Sequence, residues 1–292
     1  MKPPCAPSDA TATSGDAASR AGADAAPAAT RPGGLPITVL ILTHNSARTL
    51  DRALESVRAF AEVVVVDGGS VDATARIAAA YPNVSYRENP FRGFSEQRNF
   101  SLRQASHAWC LVLDSDEAAT PELVAGLASR SWDDDPVPLY YVMRTDYFMG
   151  EVRERGYARS LTHARFFRGS RVEYRGRVHE SPHVDGRKPR RDSDWVGVLP
   201  VDWRILHDPD NDVADELARI GTYSLLKGRE RIEAGERIGA AGIVLAVFRD
   251  AFSLYRMEWR NGRRGFVRTI LVCCHRALAN VVVYAERVRR DR

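Results

Sequence analysis

An apolar run that ends in a cluster of acids is the feature that most constrains the fold of this 292-residue chain. Residues 111–113 are typical of a buried strand, and Asp114, Asp116 and Glu117 follow almost directly. Open α/β sheets bind ligands at the carboxyl ends of their strands. Three carboxylates in one cleft repel each other unless a cation lies there, and their hard oxygen atoms suit Mg²⁺ or Mn²⁺. The sequence therefore predicts a divalent-metal site, and the alternative is a solvated acidic turn before a helix.

Apolar runs alternate with helical patterns through the first part of the chain. Four strands are predicted, over residues 37–42, 63–66, 84–86 and 109–113. Strands that alternate with helices are typical of an α/β fold with a mostly parallel sheet covered on both faces. The residues that end these strands should therefore lie along one rim of the sheet: Thr43, Asp67, Arg87 and Asp114.

Composition divides the chain into three parts. Residues 1–34 are rich in Ala, Pro, Gly, Ser and Thr and have no periodic apolar face, which predicts a disordered leader. Residues 35–210 are predicted to form one catalytic α/β domain. Residues 211–292 are predicted to form a helical extension, with helices over 214–233 and 238–255.

Several classes of protein are disfavoured by what the sequence lacks. No run of about 18 uncharged apolar residues occurs, and the leader has no apolar core typical of a secretory signal. We therefore expect a cytoplasmic location. No GxGxxG follows the first strand and no GxxxxGK[ST] occurs, so neither a dinucleotide fold nor a P-loop is predicted. The cysteines have no metal-site spacing, which favours free thiols.

The residues at the predicted rim have candidate ligand-binding roles. Asp67 can accept hydrogen bonds from a base or ribose, and the two glycines after it allow close approach of a ligand to the backbone. The alternative is that Asp67 only caps a tight turn. Basic side chains would also be needed to neutralise ligand phosphates, and the candidates are Arg87, Arg92 and Arg98.

A further strand is expected over residues 198–206, followed by His207. His207 is a candidate extra ligand for the metal or for phosphate. A solvated loop histidine is an equally good interpretation.

Six short segments follow one another along the chain in an order that is more specific than any one of them alone. They are VLILTHN at 39–45, VVVVDGGSVDAT at 63–74, GFSEQRN at 93–99, LDSDE at 113–117, HARFFR at 163–168 and YRGRVHE at 174–180. Together they resemble glycosyltransferase family 2, and more narrowly the small bacterial lipopolysaccharide-core enzymes related to a β-1,4-glucosyltransferase. The resemblance extends over about residues 35–284. It implies a GT-A fold and the transfer of one sugar, with inversion, to a glycan or glycolipid acceptor.

The resemblance also assigns roles at the donor site. It implies that Asp67 and Asp114 hold the nucleoside of a nucleotide-sugar donor, with UDP-glucose as the first expectation. Asp116 would ligate a divalent metal, Mg²⁺ or Mn²⁺, at the donor diphosphate. Three further residues are assigned to the donor site: Thr43, Asn45 and Arg98.

An inverting transfer needs a base that removes the proton of the acceptor hydroxyl. The family usually supplies a carboxylate from the second half of the domain, often in a Glu-Asp pair, whereas this chain has His179 and Glu180 there. We predict that Glu180 is the base and that His179 positions it or contacts the diphosphate. Asp146 and Glu154 are the reserve candidates, and a structural Glu180 paired with an arginine is the alternative.

The same place also satisfies the HExxH pattern of zinc proteases, over residues 179–183. That pattern requires both histidines on one face of a helix. Pro182 would break such a helix, and residues 174–178 are predicted to form a strand. A zinc hydrolase is therefore a minor alternative.

The last part of the chain is strongly basic. Ten arginines and three acids lie between residues 256 and 292, interleaved with apolar residues. This pattern predicts a helix that lies on an anionic membrane leaflet, peripheral to the inner face of the bacterial inner membrane. The alternative is a helix that packs on the domain and exposes a basic face. Arg268, His275 and Arg276 interrupt the apolar run, which disfavours a spanning helix.

Two other functions use similar features. A nucleotidyltransferase can have the same sheet and acidic site, but a Gly- and Arg-rich loop usually follows its first strand, where this chain has residues 43–46. A nucleic-acid-binding protein would use the net charge of +4. Since the basic excess lies at one end and the acids at the ligand rim, no nucleic acid is expected as a partner.

Overall fold

The computed structural model describes residues 33–148, 151–152, 162–176, 180–208 and 213–290. The strands are β1 (Leu35–Thr43), β2 (Phe60–Asp67), β3 (Val84–Glu88), β4 (Trp109–Asp114), β5 (Glu117–Ala119), β6 (Leu139–Phe148), β7 (Glu151–Val152), β8 (Thr162–Arg168), β9 (Val172–Arg175), β10 (Ser181–Val184), β11 (Gly197–Val198) and β12 (Arg204–His207). The helices are α1 (Leu50–Ser56), α2 (Thr74–Ala78), α3 (Phe94–Arg103), α4 (Pro121–Ala128), α5 (Val213–Glu233), α6 (Ala240–Glu258) and α7 (Gly262–Arg290).

One large sheet has the order β3-β2-β1-β4-β8-β6-β12-β5. Strands β3, β2, β1 and β4 are parallel, which confirms the predicted α/β half of the fold. Beyond β4 the pairing is mixed, because β8 runs antiparallel to both β4 and β6. All eight residues of β2 are buried, since helices cover both faces of the parallel part.

The predicted rim is confirmed by the strand register. Thr43 pairs with Asp67, Leu42 with Asp114, and Val66 with Arg87. The carboxyl ends of these parallel strands therefore meet at one edge of the sheet, where side chains from separate segments can act on one ligand.

An aromatic cluster joins the two halves of the sheet. The ring of Trp109 on β4 stacks on Phe166 of β8, with 4.6 Å between their centroids, and Trp132 packs edge-on against Phe166 at 4.8 Å. Both indole nitrogens donate hydrogen bonds, Trp109 to the carbonyl of Trp132 and Trp132 to that of Leu127. Because these large rings are buried with their polar atoms paired, they hold β8 in place beside β4.

Two predicted elements differ from the structure. An Asn-Ser cap at residues 45–46 predicts a helix directly after β1, but α1 begins only at Leu50, and Asn45 itself has a left-handed backbone with φ of 51°. The predicted strand over residues 198–206 is wrong, since it divides into β11 and β12. The chain turns between them, and the indole of Trp203 lies directly against Gly126 of α4, where a Cβ atom would be 2.1 Å from the ring.

The C-terminal helices form an extension in which α7 packs on both α5 and α6. Gly228 of α5 allows a close approach to α7, because a Cβ atom there would lie 2.5 Å from Val282 Cγ1. Among the described residues, α7 is the one helix long and apolar enough to cross a membrane by composition, with a mean hydropathy of 1.6 in its most apolar window. Only 28% of that window is buried within the protein.

Candidate active site

A cavity of about 560 Å³ opens at the carboxyl ends of β1, β2 and β4. Its lining includes five of the residues that the sequence assigned to the site, together with His207. These residues are Thr43, Arg98, Asp114, Asp116, Glu180 and His207. The rim geometry therefore brings together side chains from both halves of the sheet.

His207 lies between two carboxylates at the end of β12. Its Nε2 atom is 3.4 Å from Oδ2 of Asp116, and its Nδ1 atom is 3.0 Å from Oδ1 of Asp146. Burial by itself would lower the pKa of His207, but hydrogen bonds to Asp116 and Asp146 raise it to about 9. Asp146 is buried, so it fixes the orientation of the imidazole ring relative to the cavity.

The chemistry of this pair fits a divalent metal. Among the described residues no group of three or more His, Cys, Asp or Glu side chains is placed to hold a metal ion. Asp116 and His207 nevertheless offer one carboxylate and one imidazole at the same wall of the cavity. Mg²⁺ and Mn²⁺ in phosphate-binding sites take only one or two protein ligands and fill the other positions with phosphate oxygens and water. An imidazole in the set favours Mn²⁺ over Mg²⁺.

Arginines neutralise the other two acids of the predicted metal cluster. Asp114 Oδ2 lies 2.9 Å from Arg165 of β8, and Asp114 Oδ1 pairs with Arg98 of α3. Burial would raise the pKa of Asp114, but Arg165 and Arg98 lower it well below its usual range. Glu117 is fully buried and also binds Arg165 at 2.9 Å. The expectation that a cation must lie between these acids is therefore met by arginine side chains at Asp114 and Glu117, and metal ligation by Asp116 stays a prediction.

Asp67 has a local role in the structure. Its Oδ1 atom accepts hydrogen bonds from the backbone N–H groups of Gly69 and Ser70, both at 2.8 Å, and Oδ2 accepts one from the Tyr86 hydroxyl. Burial, followed by this hydrogen bond to Asp67, raises the pKa of Tyr86. Asp67 is completely buried and caps the turn after β2. Its contact with a nucleoside stays a prediction.

Asn45 and Thr43 differ in their relation to the cavity. The Asn45 side chain joins the loops after β1 and β2, since its Oδ1 atom accepts a hydrogen bond from the Val71 N–H at 2.9 Å. Thr43 lines the cavity. Its hydroxyl is buried and has no hydrogen-bond partner among the described residues, as is also true of Nη1 of Arg98. An orphaned polar group beside a cavity is consistent with a ligand contact.

Glu180 lies between two cavities. It lines the 560 Å³ cavity and also a neighbouring one of about 290 Å³, whose lining includes His163, Arg165 and Lys188. This position suits a base between a donor and an acceptor, although the role stays a prediction. The reserve base Asp146 is occupied by His207 and by Arg144, whose Nε atom is 3.0 Å away. The predicted His179 and Glu154 lie outside the described residues.

The zinc-protease alternative is contradicted. Residues Ser181–Val184 form strand β10, in which Pro182 pairs with Tyr174 of β9. The pattern requires a helix through this segment, and the described part of it is a strand.

Three aromatic residues of the cavity were not predicted from the sequence. Phe91 and Phe94 lie edge-to-face with centroids 5.0 Å apart, and about half of each side chain is exposed. Tyr223 reaches the cavity from α5 of the helical extension. Two phenylalanines around a glycine before a helix were the available signal for the first pair. No local pattern marks Tyr223, because its contact depends on how α5 packs.

The sequence pattern that defines Glycosyl transferase family 2 matches residues 38–188. The chain belongs to this family. The match to this family confirms the predicted glycosyltransferase. The family match and the mixed sheet with its parallel strands together confirm the predicted GT-A fold.

Curated relatives cover most of the chain. A Rhizobium meliloti protein named lipopolysaccharide core biosynthesis glycosyltransferase LpsC is 28% identical over 88% of this chain and 95% of its own length. The Rickettsia prowazekii protein RP128, an uncharacterized glycosyltransferase, is 23% identical over 83% of this chain and 84% of its own. A crystal structure of S. aureus TarS 1-349 in complex with UDP-GlcNAc has a TM-score of 0.45 and 16% identity, and covers 85% of this chain and 83% of that chain.

Proposed function

We propose that this glycosyltransferase moves a single hexose, with inversion, from a UDP-sugar to a glycan or glycolipid of the bacterial cell envelope. UDP-glucose is the proposed donor and the lipopolysaccharide core is the proposed destination. The similarity to LpsC over nearly the full length of both chains supports the destination. The donor rests on the resemblance of the motifs to the β-1,4-glucosyltransferase subgroup.

The observation that carries the proposal is the arrangement of charge around the 560 Å³ cavity. Asp116 and His207 lie on one wall, and the ion pair of Arg98 with Asp114 lies in the same lining. A nucleoside diphosphate needs positive charge at its phosphates and hydrogen-bond acceptors for its sugar and base. This cavity offers both, and its volume is within the range of small-molecule sites.

Asp116 and His207 would hold Mn²⁺ or Mg²⁺ in this proposal. When bound, such an ion stabilises the negative charge that grows on the leaving diphosphate. Asp146 keeps the imidazole of His207 oriented toward the cavity. Arg98 and Arg165 hold Asp114 ionised, so that its carboxylate can accept hydrogen bonds from ribose hydroxyls.

Glu180 would act on the acceptor. Its place between the two cavities fits a carboxylate that takes the proton of the acceptor hydroxyl while that oxygen attacks the anomeric carbon. The attacking oxygen forms the new glycosidic bond, and the bond from the anomeric carbon to the diphosphate breaks. The base and the leaving group lie on opposite sides of the sugar in such a displacement, which inverts the anomeric centre.

Calorimetric titration of the full chain tests the proposal. UDP, UDP-glucose, GDP-mannose and dTDP-glucose are titrated with and without Mn²⁺, into the wild type and the Asp116→Ala variant. Asp134→Ala removes an exposed acid outside the cavity and is the matched control. We expect metal-dependent binding of the uridine nucleotides that is lost in Asp116→Ala and kept in Asp134→Ala. Equal binding with and without metal would overturn the metal dependence, and preference for another nucleotide would overturn the donor.

A further inference from the structure

The helical extension exposes most of the large apolar side chains that the described residues leave uncovered. Of twenty such exposed side chains, fifteen lie between residues 213 and 290, and five lie between residues 33 and 208. Single exposed apolar residues are ordinary on a soluble protein, but a concentration of them marks an interaction surface. The extension therefore presents an apolar surface that the other described residues do not cover.

Helix α6 has an inverted arrangement of apolar and charged residues. It packs mainly on α7, along a line of Ala246, Asp250, Leu254 and Glu258 that are all buried. Two of these four are acids, which pair with arginines of α7: Asp250 with Arg276 at 3.4 Å, and Glu258 with Arg268 at 3.4 Å. A water-soluble helix normally buries its apolar face and exposes its charges. Helix α6 buries charges instead.

The opposite face of α6 is apolar and exposed. Its side chains are between 52% and 71% exposed: Val244, Leu245, Phe248, Phe252 and Tyr255. At about 100° per residue these five positions fall within a sector of roughly 100°. We call them the α6 apolar face. It includes two phenylalanines and a tyrosine, whose burial would release a large apolar area from water.

Basic residues border the α6 apolar face. The Arg249 side chain is 75% exposed, and the guanidinium of Arg256 lies over the Phe252 ring at 5.8 Å. Residues 213–290 carry fifteen Lys and Arg against eight Asp and Glu, a net charge of +7, whereas the whole chain is only +4. Positive charge around an apolar stripe matches an anionic lipid leaflet. It disfavours a second copy of the chain, because two surfaces of charge +7 would repel each other.

We propose that the α6 apolar face inserts into the surface of an anionic membrane, with the helix axis in the plane of the leaflet and Arg249 and Arg256 at the lipid phosphates. This differs from the sequence-based expectation, which placed the contact after residue 256. Helix α7 is tied to α5 and α6 by its polar groups, since His275 Nδ1 lies 2.9 Å from Ser224 Oγ and Arg276 pairs with Asp250. These contacts hold α7 in the bundle rather than across the bilayer.

Membrane docking would place the active site near a lipid-linked acceptor. Tyr223 lines the donor cavity and belongs to α5. Helix α7 packs against both α5 and α6. A chain of packed helices therefore connects the proposed docking face to the cavity. This consequence rests on the proposed function, whereas the docking face itself does not.

Vesicle sedimentation with the full chain tests the docking face. Binding is measured to vesicles of phosphatidylcholine alone and of phosphatidylcholine with about one-third phosphatidylglycerol, at low and at high salt. The variants are Phe248→Gln with Phe252→Gln, and Arg256→Glu. The matched control is Val198→Gln with Val201→Gln, which changes two exposed apolar residues of the catalytic domain. We expect wild-type binding only to the anionic vesicles, and a loss of roughly tenfold or more in the phenylalanine variant.

Further measurements distinguish in-plane docking from the alternatives. Unchanged UDP binding by the phenylalanine variant shows that its fold and donor site are intact, so failure of docking and failure of the proposed function remain distinguishable. Absence of wild-type binding to anionic vesicles overturns the proposal. A dimer in sedimentation velocity that the phenylalanine variant loses, without vesicle binding, assigns the face to a second copy. Resistance of bound protein to both high salt and alkaline carbonate overturns in-plane docking in favour of a spanning helix.

Discussion

The imidazole of His207 lies 3.4 Å from the carboxylate of Asp116, and this contact joins the end of β12 to the acidic turn after β4. Asp146 on β6 holds the other nitrogen of the ring at 3.0 Å. A carboxylate that orients a histidine beside a second carboxylate is an arrangement that metal sites use to fix ligand geometry.

Removal of the imidazole should weaken metal binding more than nucleotide binding. His207→Ala should lower the affinity for Mn²⁺ in the presence of UDP by at least about tenfold, because one of the two protein donors is lost. This affinity is measured by titration with Mn²⁺, in which electron paramagnetic resonance detects the free ion. His183→Ala is the control, since His183 lies on β10 and its Nδ1 contacts the Ser181 carbonyl. Equal Mn²⁺ affinity in the two variants would contradict the assignment of His207.

Asp146→Asn should weaken Mn²⁺ binding by about 10- to 100-fold without removing a metal ligand. The amide keeps the size of the side chain but loses the negative charge that holds the Nδ1 hydrogen bond of His207. The same resonance titration gives the affinity, and urea unfolding of the metal-free variant shows whether the fold is intact. Wild-type Mn²⁺ affinity in a folded variant would show that Asp146 has no part in positioning the ligand.

The affinity for the metal should increase as the pH rises. Burial would lower the pKa of His207, but Asp116 and Asp146 raise it to about 9, so the metal-free ring is protonated at neutral pH. A metal must displace that proton, and the apparent affinity for Mn²⁺ should rise about tenfold per pH unit between roughly pH 7 and pH 9. Titration in buffers with different ionisation enthalpies should detect release of close to one proton per ion. An affinity independent of pH would contradict the assignment.

The same raised pKa affects stability in the opposite direction. Because the folded protein binds this proton more tightly than the unfolded chain, the stabilisation is fully present below about pH 6.5 and is lost as the pH rises through about 9. Urea unfolding of the metal-free protein at several pH values measures it. His207→Ala should remove the part of the pH dependence that falls in this range.

Glu180→Gln should reduce turnover far more than donor binding. General-base catalysis contributes about 10²- to 10⁴-fold, and the amide cannot accept the acceptor proton. The turnover number with saturating UDP-sugar should fall by that order while the dissociation constant of UDP stays within about twofold of the wild type. Fixed-time activity assays measure the turnover number, and calorimetry measures the dissociation constant of UDP. An unchanged turnover number would contradict the assignment of Glu180 as the base.

Arg165→Ala should destabilise the fold. Arg165 is buried and binds the fully buried Glu117 and the partly exposed Asp114, so its removal takes a shared partner from both acids. Loss of one member of such a buried network costs about 3–5 kcal/mol. Urea unfolding measures the change. Arg171→Ala breaks an exposed pair with Asp185 and should change the free energy of unfolding very little. Similar effects of the two substitutions would show that the Arg165 network does not stabilise the fold.

Local sequence patterns were enough to predict the four parallel strands and the rim at their carboxyl ends. Local periodicity shows which residues of a segment are buried, and parallel strands place their carboxyl ends at one edge, so Thr43, Asp67 and Asp114 were predicted together. The six ordered segments also indicated the family, because each of them is a short continuous stretch of sequence that can be read without knowledge of the packing. The acidic turn was also placed correctly at the end of β4.

The pairing of Asp114 and Glu117 with Arg165, and the exposure of one face of α6, depend on packing between segments far apart in the sequence. Arg165 reaches Asp114 from a strand that pairs antiparallel with β4, and His207 reaches Asp116 through β12, contacts that depend on strand order far along the chain. The α6 apolar face appears only after α7 has taken the side of α6 that carries Asp250 and Glu258. A periodic pattern shows that a helix has two faces, but packing against distant segments decides which of them is buried, since the burial energy depends on the partner.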